Sequence, residues 1–231
     1  LQVKGDMMGY FLDWNPLQWR LREMRVGFGM LTRPASPLST AYFSMLPYRL
    51  GREQHIKFSV LPCDPDVKGE CQEWELPVPD GRSGSYLREA LVEQLTPRAD
   101  DPEHNEVAAR FAFRVQRRIE GENMPIEHAS IEWDQDVSPY VEVATLRIKA
   151  QRFSTQEQNE FCENLSFSPW HALPAHEPVG NLNRARRVLY NSVSEHRHEM
   201  NGVKRHEPRG FCLHLDGRPC EERVIADRGQ P

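Results

Sequence analysis

Three residues toward the carboxy-terminal end have the types and spacing to do chemistry: Arg186, Tyr190 and Arg197. On an α-helix an offset of four turns the chain by about 400° and advances it by about 6 Å, so Arg186 and Tyr190 are neighbours on one face. Arg197 follows Tyr190 at an offset of seven, nearly eclipsed with it and roughly 10 Å further along. A guanidinium beside a phenol favours the phenolate. A free tyrosine titrates near ~10, so holding it ionised at neutral pH costs about 4 kcal/mol. A close arginine lowers that value by roughly 1–3, and coordination to a ferric ion supplies the rest. Arg-x-x-x-Tyr on a helix therefore fits a tyrosinate ligand to iron, with Arg197 placed for an anionic group at a cofactor's edge, such as a propionate. The same spacing is common on exposed helices, where it merely faces water. Two iron-free alternatives use the same residues: an anion patch of Arg184, Arg186 and Arg187, and a site for a small acidic molecule at Arg186 and Arg197.

These residues need a helix, and the sequence predicts one over residues 184–200. Asn183 is its expected cap, and Asn201-Gly202 its end. Its apolar members Ala185, Val188, Leu189 and Val193 form a narrow stripe. Upstream, Ser154-Thr155-Gln156-Glu157 is a capping-box pattern that starts a helix at 155, running to about 165. Residues 164–181, with Pro169, Pro174, Pro178 and Gly180, form a turn-rich lead-in. Strand patterns come earlier. Ile56, Phe58 and Val60 alternate with Lys57 and Ser59 until Pro62 stops the run, and Phe111, Phe113 and Val115 repeat the pattern. A third strand covers 141–150, with Ala144, Leu146, Ile148 and Ala150 on one side. Helices are expected over 14–26, from Leu17, Leu21 and Met24, and over 85–95, from Leu87, Leu91 and Leu95. Residues 121–140 read as connecting chain, and 203–231 as a polar tail. Strands first and helices last favour an α+β fold with an antiparallel sheet.

Composition narrows the function classes. The chain has 231 residues, 9% of them aromatic, which excludes wholesale disorder. Its 29 basic and 34 acidic residues leave a net charge of −5, which disfavours nucleic acid as a partner. No apolar run approaches the ~20 residues of a membrane span. Five cysteines lack metal-finger spacing, and their odd number points to a reducing compartment, by default the cytoplasm. Cys162 is expected to be buried, and Cys212, His214 and Cys220 match no standard zinc pattern. His196 and His198 point about 200° apart on a helix and cannot share a metal, so they are read as a solvated helix end. The first residue is Leu1, and the expectation is that the chain begins inside a longer natural protein.

The order of segments adds to the motif. Asn164-Leu165-Ser166-Phe167-Ser168-Pro169 is followed by a proline-rich lead-in, then Arg186-Arg187-Val188-Leu189-Tyr190, then His196-Arg197-His198. This succession resembles the proximal side of haem catalases. Trp170-His171-Ala172-Leu173-Pro174, followed by Pro178-Val179-Gly180-Asn181-Leu182-Asn183-Arg184-Ala185-Arg186, looks closest to the smaller catalase-related proteins, the peroxidase-like and allene-oxide-synthase-like haem enzymes. The resemblance implies a partial antiparallel β-barrel with C-terminal helices, residues 1–202 being the C-terminal part of a catalase-like haem domain. It implies haem b (iron protoporphyrin IX) as cofactor, with Tyr190 as axial ligand, Arg186 as its hydrogen-bonding cation and Arg197 as propionate partner. Tyrosine as the ligand comes here from the family and not from the spacing. The implied substrate is hydrogen peroxide or an organic hydroperoxide, and a homo-oligomer is left open. The family's distal His and Asn belong to a segment expected before residue 1, so no catalytic residue is assigned within this chain, and Asn191 stands where the family has a proline. The rival expectation is a non-catalytic α+β interaction module, or a degenerate domain without haem, with Tyr190 packed against apolar side chains and no cavity before it.

Overall fold

A computed structural model describes residues 12, 16, 19–29, 33–64, 67, 71, 74, 76–78, 80–81 and 83–205. Helix α1 (Leu21–Gly29) is followed by a 3-10 turn (Pro37–Ser39) and strands β1 (Tyr42–Phe43), β2 (Tyr48–Leu50) and β3 (Gln54–Cys63). Helices α2 (Tyr86–Leu95) and α3 (Pro102–Glu106) precede β4 (Ala109–Arg117) and β5 (Val141–Ile148), and α4 (Gln156–Glu163) and α5 (Asn181–Asn201) complete the order. The strands form one antiparallel sheet in the order β1-β3-β4-β5, with β2 also on β3. The sheet is open. The expected α+β class holds, and the barrel is partial.

Register explains the two faces. Phe58 pairs with Val115, Val60 with Phe113, and Phe113 with Ala144, so one face is apolar. At one end that face is covered by Leu38, Leu91 and Leu95, which pack with Val60, Ala109, Phe111 and Ile148. Toward the other end it carries an aromatic run, Tyr48–Phe58–Phe113, with ring centroids 5.1 and 5.5 Å apart. The opposite face is polar and equally buried, because residues 119–140 wrap over it. There Lys57 sits 4.9 Å under the Trp133 ring, and Gln116 donates to the carbonyls of Trp133 and Ser138.

Several expectations are corrected. Pro62 does not stop β3, which runs to Cys63. The Pro62 carbonyl accepts from Trp74 N on the edge away from β4, so its nitrogen faces that same edge and its missing N–H costs no ladder bond. β5 is exposed along nearly its whole length, with Val141 and Leu146 left open, because it pairs with β4 alone. A bulge after Phe113 skips Val143, which puts Glu142 opposite Arg114 and returns Val141 to the apolar face. Helix α1 starts at Leu21 and contains Gly27 and Gly29, while Leu17 lies outside the described residues. The five-residue α3 has no apolar period and was not anticipated. Cys63 and Cys71 are joined in a disulfide, contrary to the expected reduced thiols, and Cys162 is free but exposed. Cys212, His214 and Cys220, with the tail from 206 onward, lie outside the described residues. Among the described residues no helix is long and apolar enough to cross a membrane.

Candidate functional site

Helix α5 carries the candidate residues, and its start differs from expectation. Gly180 is the N-cap, at φ 92° and ψ 159°. That backbone region is open to glycine alone, and a Cβ there would stand 2.6 Å from the Ile126 carbonyl oxygen. Glu127, next in the same segment, accepts from the Asn181 backbone N at 2.7 Å and takes a two-pronged grip from Arg184 at 3.1 and 2.9 Å. The Arg184 hydrogen bond, with the Asn181 amide, holds the Glu127 carboxyl below its ordinary range.

Asn183 is therefore an interior residue of the helix and not its cap. It is fully buried. Its Nδ2 donates to Pro47 O at 3.0 Å and Val179 O at 2.9 Å, and its backbone carbonyl accepts from Trp170 Nε1 at 3.2 Å. Arg187 stacks its guanidinium 4.7 Å over the Trp170 ring. The second half of α5 is laced to residues 164–166. Ser194 meets Ser166 at 2.7 Å, Arg197 donates to Leu165 O, and Asn201 donates to Asn164 Oδ1 at 3.0 Å. His198 is buried, not solvated, with one ring nitrogen 2.6 Å from Ser194 O and the other 2.9 Å from Asn164 O. These polar contacts dock α5 by one side. Its Leu182, Leu189, Val193 and Met200 point outward and remain exposed.

On this frame Arg186 and Tyr190 meet. Arg186 Nη2 donates to the Tyr190 hydroxyl at 3.0 Å, and the guanidinium lies 5.1 Å from the Tyr190 ring centroid. Tyr190 keeps 37% of its surface open, so its hydroxyl is neither sealed among aliphatics nor detached from its cation. Arg197 does not join this pair. Its guanidinium turns to Leu165, and its Nε is buried without a hydrogen-bond partner.

One neighbour was missed by sequence reasoning. Tyr48, on β2, also lies beside Arg186, whose charge acts on its phenol. Burial raises the Tyr48 phenol above its ordinary value, and the neighbouring Arg186 charge counteracts this. No local pattern could have found Tyr48: the contact depends on the Tyr48↔Pro178 bridge, which brings β2 to the lead-in of α5. Among the described residues no three His, Cys, Asp or Glu side chains gather as a metal site. A phenolate ligand would not appear in such a cluster. A shallow open depression lined by Asn159, Glu160, Glu163, Asn164, Asn201 and Val203 lies by the far end of α5 and does not include Tyr190.

No protein-family model and no curated protein sequence matches the chain. Solved structures do. Over 73% of this chain a fungal catalase superposes with a TM-score of 0.52 at 17% identity. Catalase A from Saccharomyces cerevisiae covers 86% with a TM-score of 0.53 at 15% identity. A bacterial catalase covers 86% with a TM-score of 0.50 at 12% identity. The chain spans only 32%, 43% and 38% of those three proteins. At such identities the likeness is one of architecture: the open antiparallel sheet and the helices that follow it are catalase-like.

Proposed function

We propose that this chain is the tyrosine-bearing part, up to residue 202, of a catalase-related haem-binding oxidoreductase that acts on hydrogen peroxide or organic hydroperoxides. The observation that carries the reading is the Arg186–Tyr190 hydrogen bond of 3.0 Å, with Tyr190 still accessible, on a catalase-like fold. The residues present fit the group. Tyr190 offers an oxygen donor already hydrogen-bonded to a cation, and Arg197 Nε is a buried donor that lacks an acceptor. A porphyrin propionate is an acceptor of the right charge for it. Haem b held here by Tyr190 would supply the redox chemistry toward a peroxide.

The chain's own contribution is to present and stabilise the ligand. Arg186 donates a hydrogen bond to the Tyr190 oxygen at 3.0 Å and places positive charge where an oxygen bound to ferric iron would be negative. Asn183 accepts from the same guanidinium, Tyr48 lies beside it, and Glu127 with Arg184 ties the first turn of the helix to the chain around residue 126. The rival interaction module expected Tyr190 packed among apolar side chains. The open Tyr190 departs from that packing. Titration of the purified chain with hemin tests it: saturable binding near one per chain with a Soret band, weakened at least tenfold by Tyr190→Phe, is expected. Equal binding by both proteins would refute the ligand assignment.

A further inference from the structure

We propose that Asn183 is the positioning residue of the candidate site, fixing the Arg186 guanidinium against Tyr190 from inside the helix. The inference rests on the functional reading above for its purpose but on geometry alone for its substance. Arg186 is held at two ends. Its Nη2 reaches Tyr190 at 3.0 Å, and its Nη1 donates to Asn183 Oδ1 at 3.3 Å. An arginine bound at one nitrogen can rotate about its long stem; one bound at both is restrained in a plane.

Asn183 can act this way because nothing about it is free to move. It is fully buried, and both hydrogens of its amide are committed, to Pro47 O and Val179 O. Those two donor bonds settle which side of the amide is nitrogen, and hence that oxygen is what Arg186 receives. Pro47 immediately precedes Tyr48, so the same amide also joins the helix to the start of β2, where Tyr48 lies beside Arg186. Asn183 thus connects the strand, the lead-in and the guanidinium through one planar group. A side chain that only filled space, or only capped a helix end, would need no acceptor pointed at residue 186.

The test compares Asn183→Leu with Asn183→Asp. Both lose the donors to Pro47 and Val179, so a purely structural role predicts the same outcome for both. Only the aspartate keeps an oxygen for Arg186. In the haem-free chain, the guanidinium nitrogen signals of Arg186, assigned by their loss in Arg186→Lys, are followed by NMR. The expected result is separate Nη signals in wild type and Asn183→Asp, and a single averaged signal in Asn183→Leu, reflecting rotation at least tenfold faster. Averaged signals in wild type, or the same behaviour in both variants, would overturn the proposal. Tyr48→Phe provides the arm that survives if Asn183→Leu does not fold. It leaves every Asn183 bond in place, so the signals stay separate; averaging there would move the positioning role to Tyr48 and overturn the assignment. Hemin titration of the same proteins separates this inference from the reading it rests on. A Soret band independent of Tyr190 would sink the haem reading while leaving the restrained Arg186 standing.

Discussion

Gly180→Ala is the sharpest probe of how the fold presents Tyr190. At φ 92° and ψ 159° an alanine enters a region that side-chain-bearing residues avoid, costing about 1–3 kcal/mol. The added Cβ would also stand 2.6 Å from the Ile126 carbonyl oxygen. That carbonyl cannot retreat easily, because Pro125 before it accepts from Trp133 Nε1 and Glu127 after it grips Arg184. Overpacking against fixed backbone adds roughly 1–3 kcal/mol. The sum is about 4 kcal/mol, or on the order of 10 °C in Tm for a domain of this size. Gly202→Ala is the matched control at the other end of the same helix. Gly202 has φ 64° and ψ 23°, a left-handed C-cap, with nothing within 4 Å of its added Cβ, and should lose only about 1 kcal/mol. Urea denaturation of the two variants and wild type measures the difference directly. If Gly180→Ala falls within about 1 kcal/mol of Gly202→Ala, the close approach of helix α5 to the Ile126 segment is not what fixes its start.

Two further outcomes follow from the frame around the site. Glu127 has its folded-state carboxyl depressed by Arg184, so its grip contributes fully above the ordinary carboxylate range and is lost as pH falls through the depressed folded value. Acid titration followed at the Asn181 backbone amide should show release of the helix start below about pH 4, and Glu127→Gln should show it released at neutral pH; an amide unchanged in both would refute the grip. Reducing the Cys63–Cys71 disulfide, which closes a loop with a sequence separation of 8, should cost about 2.5 kcal/mol by chain entropy and lower Tm; thiol titration of the denatured chain before reduction checks that the bond exists.

Wherever a signal was local, it was legible. The capping box expected over Ser154-Thr155-Gln156-Glu157 forms one residue later, between Thr155 and Gln158, and α4 begins at Gln156. Phe111, Phe113 and Val115 mark β4 by their alternation, and Arg186 meets Tyr190 because an offset of four brings helix side chains together. What depended on tertiary partners was not legible. Asn183 has the chemistry of a helix cap, but burial among Pro47, Val179 and Trp170 made it an interior residue and left the cap to Gly180. Pro62 reads as a strand breaker until the open edge beside it is known. Tyr48 and Arg197 show the same limit at the site itself. Tyr48 reaches Arg186 through long-range strand placement, and Arg197, eclipsed with Tyr190 along the helix, is drawn to Leu165 by the lead-in that packs there.

The most direct test of the account is the resonance Raman spectrum of the hemin-loaded chain, excited in the visible charge-transfer region. Tyr190 bound to ferric iron through its oxygen, with Arg186 3.0 Å behind it, predicts iron–phenolate vibrations that disappear in Tyr190→Phe. A hemin-loaded protein with no phenolate vibrations, or with vibrations that persist in that variant, would contradict it.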